Sequence, residues 1–161
     1  MKVILFQPSM NQKFKDANQF FGRTVEEYKS WLINNTREQL DFVLLDLIQL
    51  SQNQIVLCDC HLTLEEADIL TEPSRIVFLI KDPTNVIDDY CNRPDHHDFR
   101  DFINSTSDIA DAKTLCNTVL ESLNRKRYEQ VKASKYFWLE RDQKSTVEVT
   151  IKKVEQHFGW R

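Results

Sequence analysis

The sequence predicts an α/β fold class: one domain over residues 1–161, with a mainly parallel sheet flanked by helices. Three observations predict it. Short continuous apolar runs end in acids, helix-period segments lie between them, and the connections exceed a dozen residues, which calls for crossovers rather than hairpins. The 161 residues are 41% hydrophobic and 29% charged, an ordinary composition for a chain that buries one core.

The elements follow in order. Thr24 and Glu27 have the spacing of a capping box, and Leu40, Val43, Leu44, Leu47, Ile48 and Ser51 recur at helical spacing. Residues 25–52 therefore read as one or two helices, with a candidate break at Asn34-Asn35-Thr36. The apolar run at 54–59 ends at Asp59 and reads as a parallel strand covered on both faces. Thr63 and Glu66 repeat the capping box for a helix to about Leu70, and residues 75–80 form a second buried strand. Asp82-Pro83 then opens a helix to about Tyr90. Residues 107–133 read as a long amphipathic helix, 136–140 as a third strand, and 145–158 as a helix capped by Ser145 with Glu148 and stopped at Gly159. Val3-Ile4-Leu5-Phe6 is the leftover apolar segment of strand length and is expected in the sheet.

Charge and cysteine usage exclude several classes of function. Net charge is −4, with 21 Lys+Arg against 25 Asp+Glu and no basic block, so no nucleic-acid partner is expected. Apolar runs of four or five residues fall far short of the roughly 18 that cross a bilayer, so no membrane partner is expected and the location reads as cytoplasmic. Cys58-Asp59-Cys60-His61, with His96 and His97 further on, lacks the knuckle spacing of zinc sites, and its thiols read as reduced core residues. Phe20, Phe21, Trp31, Tyr136, Phe137 and Trp138 read as core rather than as a platform for bases. Only two glycines occur, Gly22 and Gly159, where an average chain would carry about eleven, so no glycine-rich phosphate loop is present.

The strand-helix order and the segments FFGRTVEEY, DPTNVIDDYCNRPDHHDF, FWLERD and VEQHFGW resemble the P-loop small-molecule and nucleotide kinases, more closely uncharacterised bacterial kinase-like proteins of that superfamily. The likeness spans essentially the whole chain. It implies a three-layer α/β/α fold that here lacks the first strand and the phosphate loop. The remaining elements follow the kinase order from its second strand, so a chain shortened at its N-terminus is expected, with natural loss of the loop as the competing explanation.

The resemblance also implies roles. Asp59 resembles the acid of a Walker B-like strand, a catalytic and magnesium-holding carboxylate; a strand-end cap is the plainer reading. Arg93 and Arg100 fall in a lid-like segment at about 91–104, where guanidinium groups stabilise a transferring phosphoryl group, or else they are surface arginines. Arg141 and Asp142 match the loop beside the adenine ring, or form a surface charge pair. Arg23 sits where relatives bind the phosphoryl acceptor, or is a first-turn residue beside a permissive glycine. ATP and Mg serve the full-length family, whose partners are a nucleotide or a small phosphoryl acceptor. This chain, without the loop, is expected to bind neither cofactor tightly and to be inactive as a kinase. The alternative is a non-catalytic ligand- or partner-binding domain that has kept the fold, with a homodimer among its partners.

Overall fold

The computed structural model describes residues 9, 12–50, 56, 58–84, 96–141 and 146–160. Among them the order is α1 (Ala17–Phe21), α2 (Val25–Leu50), α3 (Leu64–Leu70), a 3₁₀ turn (Pro73–Arg75), β1 (Val77–Ile80), α4 (His97–Asn104), α5 (Ile109–Lys132), β2 (Phe137–Glu140) and α6 (Val147–Phe158). The chain divides into two compact units, residues 1–61 with 87–119 and residues 62–86 with 120–161.

The first unit is helical. Asp16 starts α1 by accepting from the Gln19 amide at 2.9 Å. The Thr24–Glu27 capping box starts α2: Glu27 N donates to the Thr24 hydroxyl at 3.3 Å, and Thr24 N donates to Glu27 Oε2 at 2.8 Å. The helix runs unbroken past Asn34-Asn35-Thr36; the Thr36 hydroxyl bonds back to the Leu32 carbonyl at 2.8 Å, sharing that acceptor with the helical ladder. Asn18 Oδ1 accepts from both the backbone and the hydroxyl of Ser107, at 2.7 and 2.9 Å, and ties α1 to the residues before α5. The core is Ala17, Phe20, Phe21, Tyr28, Leu40, Ile103, Leu115, Cys116 and Val119.

In the second unit β1 and β2 pair in parallel, Val77 opposite Phe137 through Ile80 opposite Glu140, and Arg141 N extends the ladder to the Ile80 carbonyl at 2.7 Å. Thr63 and Glu66 form the capping box of α3. Arg127 Nη2 donates to the Leu62 carbonyl at 3.2 Å, and burial draws its pKa below the ordinary value. Helix α6 begins at Thr146, whose hydroxyl accepts from Val149 N, and ends at Gly159 in the left-handed region (φ 69°). His157 holds α6 against the strands: a ring nitrogen lies 2.9 Å from the Ile76 carbonyl and the ring stacks on Phe137 at 4.5 Å.

This architecture corrects the expected three-layer α/β/α kinase-like fold. About 67% of the described residues are helical, and the sheet among them has two strands of four residues. A three-layer fold needs a sheet broad enough for helices to cover both faces, whereas a two-strand pair has no interior strand. Leu79 is half exposed, so β1 is not the doubly covered strand that its composition predicts. The predicted strand at 54–59 is not formed where it is described: Val56 and Cys58 to Cys60 are irregular. Cys58 is exposed and Cys60 partly so, which corrects their assignment to the core; Cys116 is buried. The cap of the last helix is Thr146 rather than Ser145. The predicted strand at 3–6, the helix from 85 to 90, Cys91 and Ser145 lie outside the described residues. No helix among the described residues is long and apolar enough to cross a membrane.

The second unit is fastened by Tyr136, whose phenol donates to Asp68 Oδ1 at 2.6 Å, while Lys135 Nζ lies 2.7 Å from the same oxygen. Hydrogen bonds from Lys135 and Tyr136 hold the Asp68 carboxyl below its usual range, and the bond to Asp68 pushes the Tyr136 phenol up to about 12. A depressed carboxyl contributes stability above its ordinary value, near 3.8, that is lost as pH falls through the folded value. A raised phenol contributes stability below 10.0 that is lost as pH rises toward about 12. Urea denaturation at a series of pH values is expected to show both limbs. Tyr136→Phe should lower the midpoint at neutral pH, flatten the loss between pH 10 and 12 and weaken the acid limb.

Candidate functional site

The residues around Arg23 form a packed aromatic site beside an open recess. Helix α1 ends at Gly22, whose amide donates to the Asn18 carbonyl at 2.8 Å. A methyl group added at Gly22 would stand 2.8 Å from that same backbone oxygen, so the turn that delivers Arg23 requires glycine for space. Arg23 Nε then donates to the Phe20 carbonyl at 2.7 Å, which fixes the guanidinium plane.

Four aromatic rings surround that guanidinium. Its carbon lies 4.6 Å from the Phe14 centroid, 4.3 Å from Phe20, 4.8 Å from Tyr28 and 4.8 Å from Trp31. The rings brace one another. Phe20 meets Phe14, Phe21, Tyr28, Trp31 and Phe102 edge to face at 4.8–5.7 Å, and Tyr28 stacks on Trp31 at 6.2 Å. Trp31 is oriented by its indole N–H, which donates to the Ser9 carbonyl at 3.1 Å.

Arg23 Nη1 and Nη2 are buried and make no hydrogen bond among the described residues. The nearest acid on the same helical face, Glu27, is committed elsewhere: its Oε2 accepts from both the backbone and the hydroxyl of Thr24, which holds its pKa below the ordinary value. Burial lowers the pKa of Arg23, against the opposing pull of Tyr28, Glu27 and Cys116. A desolvated cation–π contact contributes about 2 kcal/mol, and each buried donor left unpaired costs roughly 1–3 kcal/mol. The rings thus offset part of the missing hydrogen bonding and cannot replace it, because a ring face accepts charge but not a directed bond.

A cavity of about 600 Å³ opens beside this group, lined by Arg23, Trp31 and Phe14 and by the polar side chains of Gln12, Glu26, Ser30 and Asn34 among others. Glu26, Glu27, Ser30 and Asn34 lie at helical spacing on the first turns of α2 and supply part of its wall, while Arg23 enters from the turn before that helix. Its chemistry is that of a recess with a cationic fork at one side and hydroxyl, amide and carboxylate groups around it.

The other predicted site residues stand apart from it. Asp59 is exposed on irregular chain and carries no hydrogen bond or ion pair among the described residues. Arg100 is exposed on α4, with Asp101 at 3.8 Å as its ion-pair partner. Arg141 is exposed, and its backbone rather than its guanidinium makes the bond to Ile80. Arg93 and Asp142 lie outside the described residues. Of the set, Arg23 alone among the described residues is built into a packed environment. Phe14, Phe20, Tyr28 and Trp31 were not singled out by sequence as partners of Arg23. The only local signal was the clustering of aromatic residues on both sides of Arg23, and no spacing rule links them to it, because Phe20 lies on α1, Tyr28 and Trp31 on α2, and Arg23 between the two. Among the described residues no group of three or more His, Cys, Asp or Glu side chains could hold a metal ion.

Replacing Arg23 tests the balance inside the cage. Arg23→Met keeps the stem and removes together both orphaned donors, the cation–π attraction and the Nε bond to the Phe20 carbonyl, gains and losses of similar size, so the stability is expected to change by less than about 1 kcal/mol in either direction. Arg23→Ala leaves a void among the four rings and is expected to cost about 2–4 kcal/mol. Equal, large losses in both variants would show that the charge itself holds the rings together. Comparison with family models, with curated proteins and with solved structures returns no match for this chain.

Proposed function

We propose that this chain is a non-catalytic ligand-binding domain that takes a small oxyanion-bearing molecule at Arg23. The observation that carries this reading is the pair of buried, unpaired nitrogens on one planar guanidinium at the edge of a cavity. A carboxylate or phosphate presents two oxygens at the spacing of that fork and satisfies both donors at once. Arginine bonds of this type are stronger than neutral ones, and the rings around them exclude water that would otherwise compete. Both Nη atoms are buried, so binding requires side chains between them and the cavity to shift.

The phosphoryl-transfer reading draws no comparable support. Such chemistry rests on positioned charges around the transferring group, and Asp59 and Arg100 stand on exposed surface without partners that would orient them toward a phosphate.

Trp31 is both a wall of the cavity and a ring of the cage, so its fluorescence reports occupancy. In a Trp138→Phe, Trp160→Phe background, sodium acetate and sodium phosphate are expected to give a saturable change with a Kd on the order of millimolar, as suits fragments this small. Arg23→Met should abolish it. A response no different from that of sodium chloride at matched ionic strength would contradict the proposal.

A further inference from the structure

Resting on that reading, we infer that the ligand is a zwitterion, an α-amino acid or a molecule of like charge pattern, whose carboxylate meets Arg23 and whose ammonium meets Glu26. Among the described residues the lining holds one cation, Arg23, and two carboxylates, Glu26 and Glu27. Glu27 spends its Oε2 on the backbone and hydroxyl of Thr24, and this capping role fixes it in place. Glu26 makes no hydrogen bond or ion pair among the described residues. It stands in the first turn of α2 and lines the same recess as Arg23. The recess therefore offers a cationic fork and a free carboxylate at neighbouring places, with a formal sum of one negative charge.

That arrangement selects against simple anions. A dianion such as phosphate gains the fork but stands close to two carboxylates, and a monoanion gains the fork while leaving Glu26 unanswered. A plain amine gains Glu26 and is repelled by Arg23. A molecule with both charges a few bonds apart answers both groups. The side chains of Ser30 and Asn34 further along α2 supply hydroxyl and amide groups for the remaining polar atoms of such a ligand. Phe14 and Trp31 supply an apolar wall for a side chain.

The test compares free glycine, sodium acetate and methylammonium chloride at matched ionic strength and neutral pH, followed by Trp31 fluorescence in the background described above, with wild-type residue 26 and with Glu26→Gln. Glycine is expected to bind about fivefold more tightly than acetate, the difference made by one partly exposed ion pair. Glu26→Gln should bring the two affinities together, and methylammonium alone should not bind. Equal affinities for glycine and acetate that Glu26→Gln leaves equal would overturn the inference while the oxyanion reading stands. Absence of any saturable response to either glycine or acetate would overturn both.

Discussion

The packing of four aromatic rings against one another and around the Arg23 side chain is the interaction on which the N-terminal part of the first unit depends. Two short pieces of chain, the α1–α2 turn and the segment carrying Ser9 and Phe14, have no regular ladder to hold them together. They are joined by rings that meet edge to face around a single charge and by two bonds to Ser9, from the Trp31 indole and to Glu38. A cation in that place needs compensation. The rings supply electrostatic attraction without directed acceptors, and the acid best placed to pair with it is engaged in capping α2. The geometry thus leaves two donors of one buried side chain without an acceptor among the described residues, at some cost in stability.

The second unit is organised on a different principle. Its parallel pair is too small to bury anything alone, and short two-strand pairs are marginal in water. It is stabilised from outside the ladder, by Tyr136 to Asp68 at one end, by His157 between Ile76 and Phe137 on α6, and by Arg127 to the Leu62 carbonyl. Tyr128 adds a bond to Glu140 at 2.7 Å, and Lys132 bonds to Tyr128 at 3.0 Å. Asp68, Arg127, Tyr128, Lys132 and His157 come from helices that flank the strands in sequence, and Tyr136 from the residue just before β2.

What the sequence revealed follows from the range of the signals involved. Thr24–Glu27 and Thr63–Glu66 act over three residues, and Gly159 acts at one, so both capping boxes and the final stop were legible from the residues alone. The long periodic stretches that became α2 and α5 were legible too. The sheet was not. A four- or five-residue apolar run reads the same whether it is paired, covered or left irregular, and residues 77–80 and 137–140 found a partner strand while Val56 and Cys58 to Cys60 did not. Asp59 and Arg100 drew attention through the resemblance to kinases, which depends on a sheet that the described residues do not build. Arg23 was singled out, but its rings were not. An aromatic cage depends on side chains from three segments meeting in space, and spacing along one helix accounts only for Tyr28 and Trp31.

The most direct measurement of the caged charge is the side-chain NMR spectrum of Arg23 in the free protein. Four rings within 5 Å of the guanidinium carbon should move the Arg23 δ-methylene and Hε protons well upfield through their ring currents. The bond from Nε to the Phe20 carbonyl should slow exchange of Hε with water far below that of exposed Arg100. Shifts of an unstructured arginine, with exchange as fast as that of Arg100, would contradict the cage and the binding site drawn from it.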